Sequence, residues 1–111
     1  MAEALKTNAA LQTLDLDSNS IRAEGAAALA EALKTNEVLQ YLYLESNSIG
    51  YEGAVELADA LKTNAASKLR TLDLRSNSIR AEGAAAFSFA EARQIQVPRE
   101  FFLSPPVKSQ P

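Results

Sequence analysis

The stretch that decides the fold is LQTLDLDSNSI, residues 11–21. It returns as LQYLYLESNSI over residues 39–49 and as LRTLDLRSNSI over residues 69–79, after steps of 28 and 30 residues. A fixed period of about 20–50 residues indicates an array of stacked units, each of which packs against its neighbours. The rest of the chain is therefore interpreted as part of one repeat or as a departure from it.

Each copy changes its side-chain periodicity along its length. Residues 13–17, Thr-Leu-Asp-Leu-Asp, alternate polar and apolar, which predicts a half-buried strand with Leu14 and Leu16 directed inward. Apolar residues then return at the i, i+3, i+4 and i+7 spacing of an amphipathic helix. In the first two repeats these positions are Ala26, Leu29, Ala30 and Leu33, then Ala54, Leu57, Ala58 and Leu61. Each repeat is predicted to be one strand followed by one helix.

The ends of the predicted helices carry their own signals. An acidic residue in the first turn is favourable because the N-terminus of a helix is partly positive. Those residues are Glu24, Glu52 and Glu82. An asparagine closes each helix, where a left-handed residue is commonly required. Those residues are Asn8, Asn36 and Asn64.

The spacing of Leu11, Leu14, Leu16, Asn19 and Ile21 resembles the L-x-x-L-x-L-x-x-N-x-I pattern of leucine-rich repeats. The helix that follows makes it similar to the long type found in ribonuclease inhibitor and in the C-terminal repeats of NOD-like receptors. The resemblance covers about residues 1–90. It implies an α/β solenoid, a horseshoe fragment with parallel strands on the concave side and helices on the convex side. It also implies a ladder of amide hydrogen bonds between neighbouring repeats, formed by Asn19, Asn47 and Asn77.

The repeat domain is predicted to span residues 1–94. It comprises a half helix at 1–8 and three repeats that start near residues 11, 39 and 69, the last of them degenerate after Gly83. The tail at 95–111 contains prolines, has no predicted strand and is expected to be partly disordered. Its apolar residues either fold back over the last repeat or belong to the disordered part; they are Phe101, Phe102 and Leu103.

Neither end of the array is predicted to carry a polar capping repeat. The first strand would then lack a partner on one side, and unpaired strand edges favour association with other chains. We therefore expect self-association through the uncapped ends.

The composition excludes several classes of function. With 11 basic and 14 acidic residues the net charge is −3, which argues against partners such as nucleic acid or an anionic membrane surface. The chain has no Cys and no His, so thiol and imidazole chemistry and the usual zinc sites are excluded, and no metal or cofactor is predicted. No apolar run has the length of a signal peptide core or a transmembrane helix, so a cytoplasmic location is expected.

The candidate site is the exposed side of the strands. Equivalent positions form three columns across the sheet, and two tyrosines lie at the centre of an acidic face. The columns are Thr13, Tyr41 and Thr71; Asp15, Tyr43 and Asp73; and Asp17, Glu45 and Arg75. With strands about 4.8 Å apart, Asp15 and Asp73 would be about 10 Å apart, too far for a catalytic carboxylate pair or for one metal ion. The face either binds a partner or is simply a solvated sheet surface.

Three functions remain open from the sequence. The first is a non-catalytic module that binds a protein or a peptide and that belongs to a longer repeat array. A basic peptide is one candidate ligand. The second is a small-GTPase activator that resembles the Ran GTPase-activating protein, with Arg22 or Arg80 as an electrostatic finger. The third is a truncated repeat product without a function of its own.

Overall fold

The strands and helices alternate as the periodicity predicts. A computed structural model describes residue 8 and residues 10–98. The strands are β1 (Thr13–Asp15), β2 (Tyr41–Tyr43) and β3 (Thr71–Asp73). The helices are α1 (Arg22–Leu33), α2 (Gly50–Thr63) and α3 (Arg80–Ala85). The three strands form one parallel sheet in the order β1-β2-β3, an arrangement that fits a repeat solenoid. Apart from Asn8, the half helix at 1–8 lies outside the described residues, as does the tail beyond residue 98 with Phe101, Phe102 and Leu103.

The core lies between the sheet and the helices. Leu42, Leu44, Leu72 and Leu74 of the second and third repeats have no exposed surface. The predicted inward positions of α1 and α2 are confirmed, since all eight are at most 3% exposed. Half of those positions are alanines, whose small side chains let neighbouring helices approach closely.

A glycine in the first turn of each helix permits this close packing. A Cβ atom at Gly53 would collide with the side chain of Ile49 and would lie 3.0 Å from the Cβ of Ala26 in the preceding helix. Gly25 and Gly83 meet the equivalent isoleucines, Ile21 and Ile79. The glycine therefore lets the isoleucine that ends each motif pack under its own helix.

The first repeat is less buried than the other two. Leu14 and Leu16 of the first repeat are only half-buried, although their equivalents in the other repeats are fully buried. Asn19 is exposed, whereas Asn47 is 0% exposed. β1 has a neighbour on one side only among the described residues, whereas β3 is flanked by β2 and by Gln96.

The helix-closing asparagines do not adopt the predicted left-handed backbone. Neither Asn36 nor Asn64 has a positive φ, and that of Asn64 is −94°. Their side chains instead satisfy the turn that follows. The Oδ1 of Asn36 accepts hydrogen bonds from the backbone N–H groups of Val38 and Leu39, at 2.9 and 2.8 Å. An Asx turn of this kind needs no left-handed residue, and so the prediction is wrong.

Asn64 also links two repeats. Its Nδ2 donates to the carbonyls of Leu33 at 2.8 Å and Asn36 at 3.0 Å, which lie at the end of the preceding helix. These carbonyls have no partner inside the helix, and a neighbouring amide satisfies them.

At the C-terminal end of the array, Arg93 takes the place of the next asparagine. Its guanidinium donates to the carbonyls of Leu61 at 2.7 Å and Asn64 at 2.8 Å, which are equivalent to those of Leu33 and Asn36. It also lies 5.8 Å from the centre of the Phe89 ring. An arginine can make this substitution because its planar fork offers several donors.

The strand layer is extended by one residue at the same end. Gln96 forms an isolated parallel bridge with Thr71. Its N–H donates to Arg70 O at 2.7 Å, and its carbonyl accepts from Leu72 N–H at 2.8 Å. Ile95 is 6% exposed and belongs to the core. Residues 93–96 therefore replace some contacts of a further repeat at the C-terminal end, although they do not form the polar capping repeat whose absence the sequence predicts.

Replacing Arg93 by alanine is expected to lower the free energy of unfolding by on the order of 1.5 kcal/mol, since charged hydrogen bonds to two helix-end carbonyls are lost. Urea denaturation would measure the change. Arg70→Ala is the control, because Arg70 is exposed and its guanidinium makes no hydrogen bond within the described part of the chain. Equal losses in both variants would contradict the capping role.

Candidate functional site

The outer side of the sheet brings the predicted columns together. The register pairs Thr13 with Tyr41 and Tyr41 with Thr71, and it pairs Asp15 with Tyr43 and Tyr43 with Asp73. We call the nine residues of the three columns the strand face: Thr13, Asp15, Asp17, Tyr41, Tyr43, Glu45, Thr71, Asp73 and Arg75. Tyr41 and Tyr43 lie half-buried on the central strand, with the neighbouring strands on either side.

Asp73 departs from the predicted exposed position. It is only 5% exposed, and both of its carboxylate oxygens bind the Arg75 guanidinium, at 2.9 Å to Nε and 2.7 Å to the terminal nitrogen. Residues two apart on a strand lie on the same face, and so the Asp-Leu-Arg order of the third repeat creates this pair. The pair neutralises one of the predicted acidic groups. The Arg75 guanidinium also lies 3.7 Å from a carboxylate oxygen of Glu45 in the neighbouring repeat.

The protonation of Asp73 reflects both its burial and its partner. Burial by itself raises the pKa of Asp73. The hydrogen bonds from the side chain and the backbone N–H of Arg75, together with its charge, outweigh burial and hold that pKa below its ordinary value. A carboxyl whose pKa is lowered by folding stabilises the fold above an unfolded value of about 3.9, and the contribution is lost as the pH falls through the lowered pKa.

Replacing Arg75 by alanine is expected to raise the pKa of Asp73 above its ordinary value, because burial then acts without a compensating cation. NMR titration of the Asp73 carboxyl carbon measures the change. Arg70→Ala, which removes an arginine outside the pair, should leave the pKa unchanged. An unchanged pKa in Arg75→Ala would show that the ion pair does not control this group.

Two further carboxylates of the strand face are oriented by the backbone. The Oδ1 of Asp17 accepts a hydrogen bond of 2.7 Å from the Glu45 N–H of the next repeat. The Oδ1 of Asp15 accepts one of 3.1 Å from the Asp17 N–H. Each carboxylate keeps a second oxygen outside these bonds, which leaves an acidic region beside the tyrosines.

Behind the strand face, the asparagines of the SNS turns join the repeats. The Oδ1 of Asn47 accepts from the N–H groups of Asn19 at 2.7 Å and Ile21 at 3.2 Å, and its Nδ2 donates to Leu16 O at 2.9 Å. Asn77 repeats this pattern one step on, where its Oδ1 accepts from Asn47 N–H at 2.8 Å. The Nδ2 of Asn19 reaches only carbonyls of its own repeat.

The turns that carry these asparagines are left-handed at their serines and at the first helical residue. Arg22 and Arg80 have φ values of 64° and 66°, and Gly50 at the equivalent position has 73°. For a non-glycine residue this conformation costs roughly 1–2 kcal/mol. It directs the Arg22 N–H to Asn47 O in the next repeat, at 2.8 Å, and that hydrogen bond offsets part of the cost. Both arginine side chains are at exposed positions.

Residue 8 and residues 10–98 contain no cluster of three or more acidic side chains that could hold a metal ion. Within the same ranges, no helix combines the length and the apolar character that a bilayer crossing requires.

Sequence reasoning missed the second set of bridging residues, Asn64 and Arg93. The signal for Asn64 was its place in the repeated KTN segment, which recurs with a step of 28 residues. Arg93 gave no such signal, because it lies outside the repeat register and acts through a different functional group. The burial of Asp73 depends on its pairing with Arg75, two residues further along the chain, which the column positions do not indicate.

A family model described as leucine-rich repeat matches residues 7–30, 35–58 and 65–88. Each matched segment contains one strand and the N-terminal end of the following helix. No curated protein matches the chain significantly. The three segments cover well over half of the 111 residues, in register with the observed strands. The chain belongs to the leucine-rich repeat family.

Proposed function

We propose that this chain is a non-catalytic module that binds a protein or a peptide across its strand face. Leucine-rich repeats generally mediate protein–protein interaction, and their exposed strand positions vary freely because the core does not use them. The observation that carries the proposal is the pair Tyr41 and Tyr43, half-buried side by side on the central strand. Tyrosine is a frequent anchor of interfaces because it combines a large contact area with a hydroxyl group.

The charges beside the tyrosines favour a basic ligand. Asp15 and Asp17 lie on the β1 side of the central strand, whereas Asp73 and Glu45 both lie within ion-pair distance of Arg75. A lysine or arginine of an extended peptide would meet carboxylates on the β1 side of Tyr43. Attraction of this kind raises the association rate and weakens with added salt.

The size of the strand face limits the affinity. A standard interface takes about 20–30 residues from each partner, whereas the strand face has nine. We therefore expect weak binding by one copy, and tight binding only with additional repeats. On this count we propose that the chain belongs to a longer array. The repeat type that we propose for the array is that of ribonuclease inhibitor or NOD-like receptors, on the resemblance of the motif, and the location that we propose is cytoplasmic.

The test is titration of basic and acidic peptides, followed by NMR chemical shifts. Basic peptides are expected to shift the resonances of Tyr41 and Tyr43 and to bind less tightly as salt is added. The double variant Tyr41→Ala, Tyr43→Ala should lose this binding. Tyr51→Ala is the matched control, since Tyr51 is 41% exposed at the start of α2 and lies outside the strand face.

Three outcomes would overturn the proposal. Binding that survives the double variant would place the ligand elsewhere on the chain. Faster GTP hydrolysis by a small GTPase, lost in Arg22→Ala or Arg80→Ala, would instead support the activator hypothesis. Absence of any peptide binding, with a fully folded chain, would favour a repeat product without a function of its own.

A further inference from the structure

The two ends of the sheet differ in their hydrogen bonding. At the β3 end, Gln96 bonds to Arg70 O and Leu72 N–H, and so the beginning of the strand is covered. At the β1 end, no described residue pairs with the outer side of the strand. An extended, unpaired edge is therefore found at one end only among residues 10–98.

The internal repeats show which backbone groups the β1 edge presents. Tyr41 donates its N–H to Gln12 O, and the carbonyl of Tyr43 accepts from Leu16 N–H. Both residues thus direct their backbone groups towards the preceding strand. Thr13 and Asp15 occupy the same positions in β1, and they direct their N–H and C=O groups outward, where no described residue binds them.

The same edge leaves apolar surface incompletely covered. Leu14, Leu16 and Ile21 are half-buried. Their equivalents in the second repeat, Leu42, Leu44 and Ile49, are 0%, 0% and 1% exposed. A neighbour along β1 would therefore bury leucine and isoleucine surface as well as pair backbone groups.

We propose that two copies of this chain join through their β1 edges as an antiparallel, two-fold symmetric pair centred on Leu14. In this register Thr13 of one copy lies opposite Asp15 of the other. Both residues direct their backbone groups outward, and opposed residues of this type exchange two hydrogen bonds in an antiparallel ladder. The symmetric contact therefore supplies four hydrogen bonds. Leu14 directs its backbone groups towards β2, and so Leu14 of one copy and Leu14 of the other form a non-hydrogen-bonded pair. Side chains approach most closely at such a pair.

The occupant of the edge is a second copy because the edge is self-complementary. If the register were shifted by one residue, backbone groups directed towards the other copy would lie opposite residues whose backbone groups face β2. Those groups would then stay unpaired. The opposite end does not offer an equivalent edge, since Gln96 occupies β3. Assembly therefore stops at two copies and does not grow into a filament.

The pair extends the sheet from three strands to six and doubles the strand face. A preceding repeat in a longer array would occupy the same β1 edge, so the pairing of two copies and the longer array are two alternative ways of enlarging the strand face. The pairing itself does not rest on the proposed function. Each copy carries a net charge of −3, and Asp15 and Asp17 lie at or next to the contact. Salt screens repulsion between the copies, and we expect it to strengthen the dimer. It weakens the binding of a basic peptide, so the two proposals respond to salt in opposite directions.

The test is sedimentation equilibrium of the full chain from micromolar to millimolar concentration. The mass is expected to rise to twice that of one chain and then to stay constant. Thr13→Pro removes an outward N–H that has no partner among residues 10–98 of the same copy, and it should keep the chain folded but monomeric. Thr13→Ala, which retains the N–H group, should dimerise like the wild type. A monomer at every concentration, growth beyond two copies, or dimerisation of folded Thr13→Pro would each overturn the proposal.

Hydrogen exchange on the wild-type chain gives a second readout that does not depend on a variant folding. The amides of Thr13 and Asp15 should become protected as the concentration rises. The amide of Ser76, in the turn of the last repeat, should not change. Protection at Ser76 without protection at Thr13 would place the contact at the other end and overturn the proposal.

Discussion

Replacing Leu42 by alanine is expected to lower the free energy of unfolding by about 2–5 kcal/mol, the range for removing a large buried side chain and leaving a cavity. Leu42 has no exposed surface, and it lies on the central strand between Leu14 and Leu72. A domain of this size has a total stability of about 5–15 kcal/mol. The substitution would therefore remove a large part of the stability, and the melting temperature should fall by many degrees.

Leu14 provides the matched control for Leu42. It has the same place in the repeat but is half-buried at the sheet edge, and Leu14→Ala should cost clearly less. Urea denaturation at low concentration, where the chains do not associate, measures both variants. Equal losses would mean that the first repeat is as tightly packed as the second, contrary to the burial of its leucines.

Replacing Asn47 by alanine is expected to cost about 1–3 kcal/mol, because buried hydrogen-bonding groups lose their partner. The amide of Asn47 is 0% exposed. Its Oδ1 accepts from two N–H groups of the first repeat, and its Nδ2 donates to carbonyls in both repeats. No water can replace this amide without opening the junction.

The comparison for Asn47 is Asn19→Ala. Asn19 is exposed, and its Nδ2 bonds only to Leu16 O and Asp17 O of its own turn, which water can reach once the side chain is removed. Thermal melts of the two variants should therefore differ, with the larger decrease for Asn47→Ala. A negligible decrease for both would remove the amide ladder as a source of stability between repeats.

The repeat pattern was sufficient to predict the order of strands and helices. The period-2 alternation of residues 13–17 places the apolar residues on one face only if the segment is a strand. The helical spacing does the same only if the segment is a helix, as for Ala26, Leu29, Ala30 and Leu33. The columns of the strand face follow from the same logic, since equal positions in equal repeats lie side by side in a parallel sheet.

The sequence did not predict contacts between residues that do not occupy equivalent positions in neighbouring repeats. Asp73 is buried because Arg75 folds over it, a pairing that depends on side-chain conformation as well as on strand position. Arg93 reaches two carbonyls of α2 because the degenerate third repeat turns back towards that helix end. The repeat pattern predicts neither of these two contacts.

The sequence by itself determined the repeat, its strand and helix, and the inward leucines, because those depend on local periodicity that every copy restates. The tertiary structure alone decided the difference between the ends of the described part of the chain: Gln96 bridges Thr71 at one edge, and at the other no described residue pairs with the outward backbone groups of Thr13 and Asp15. The physical reason is that a backbone group is satisfied or left open by what lies beside it in space, and residues 25 positions apart along the chain, as Thr71 and Gln96 are, become neighbours only after the intervening helix has folded.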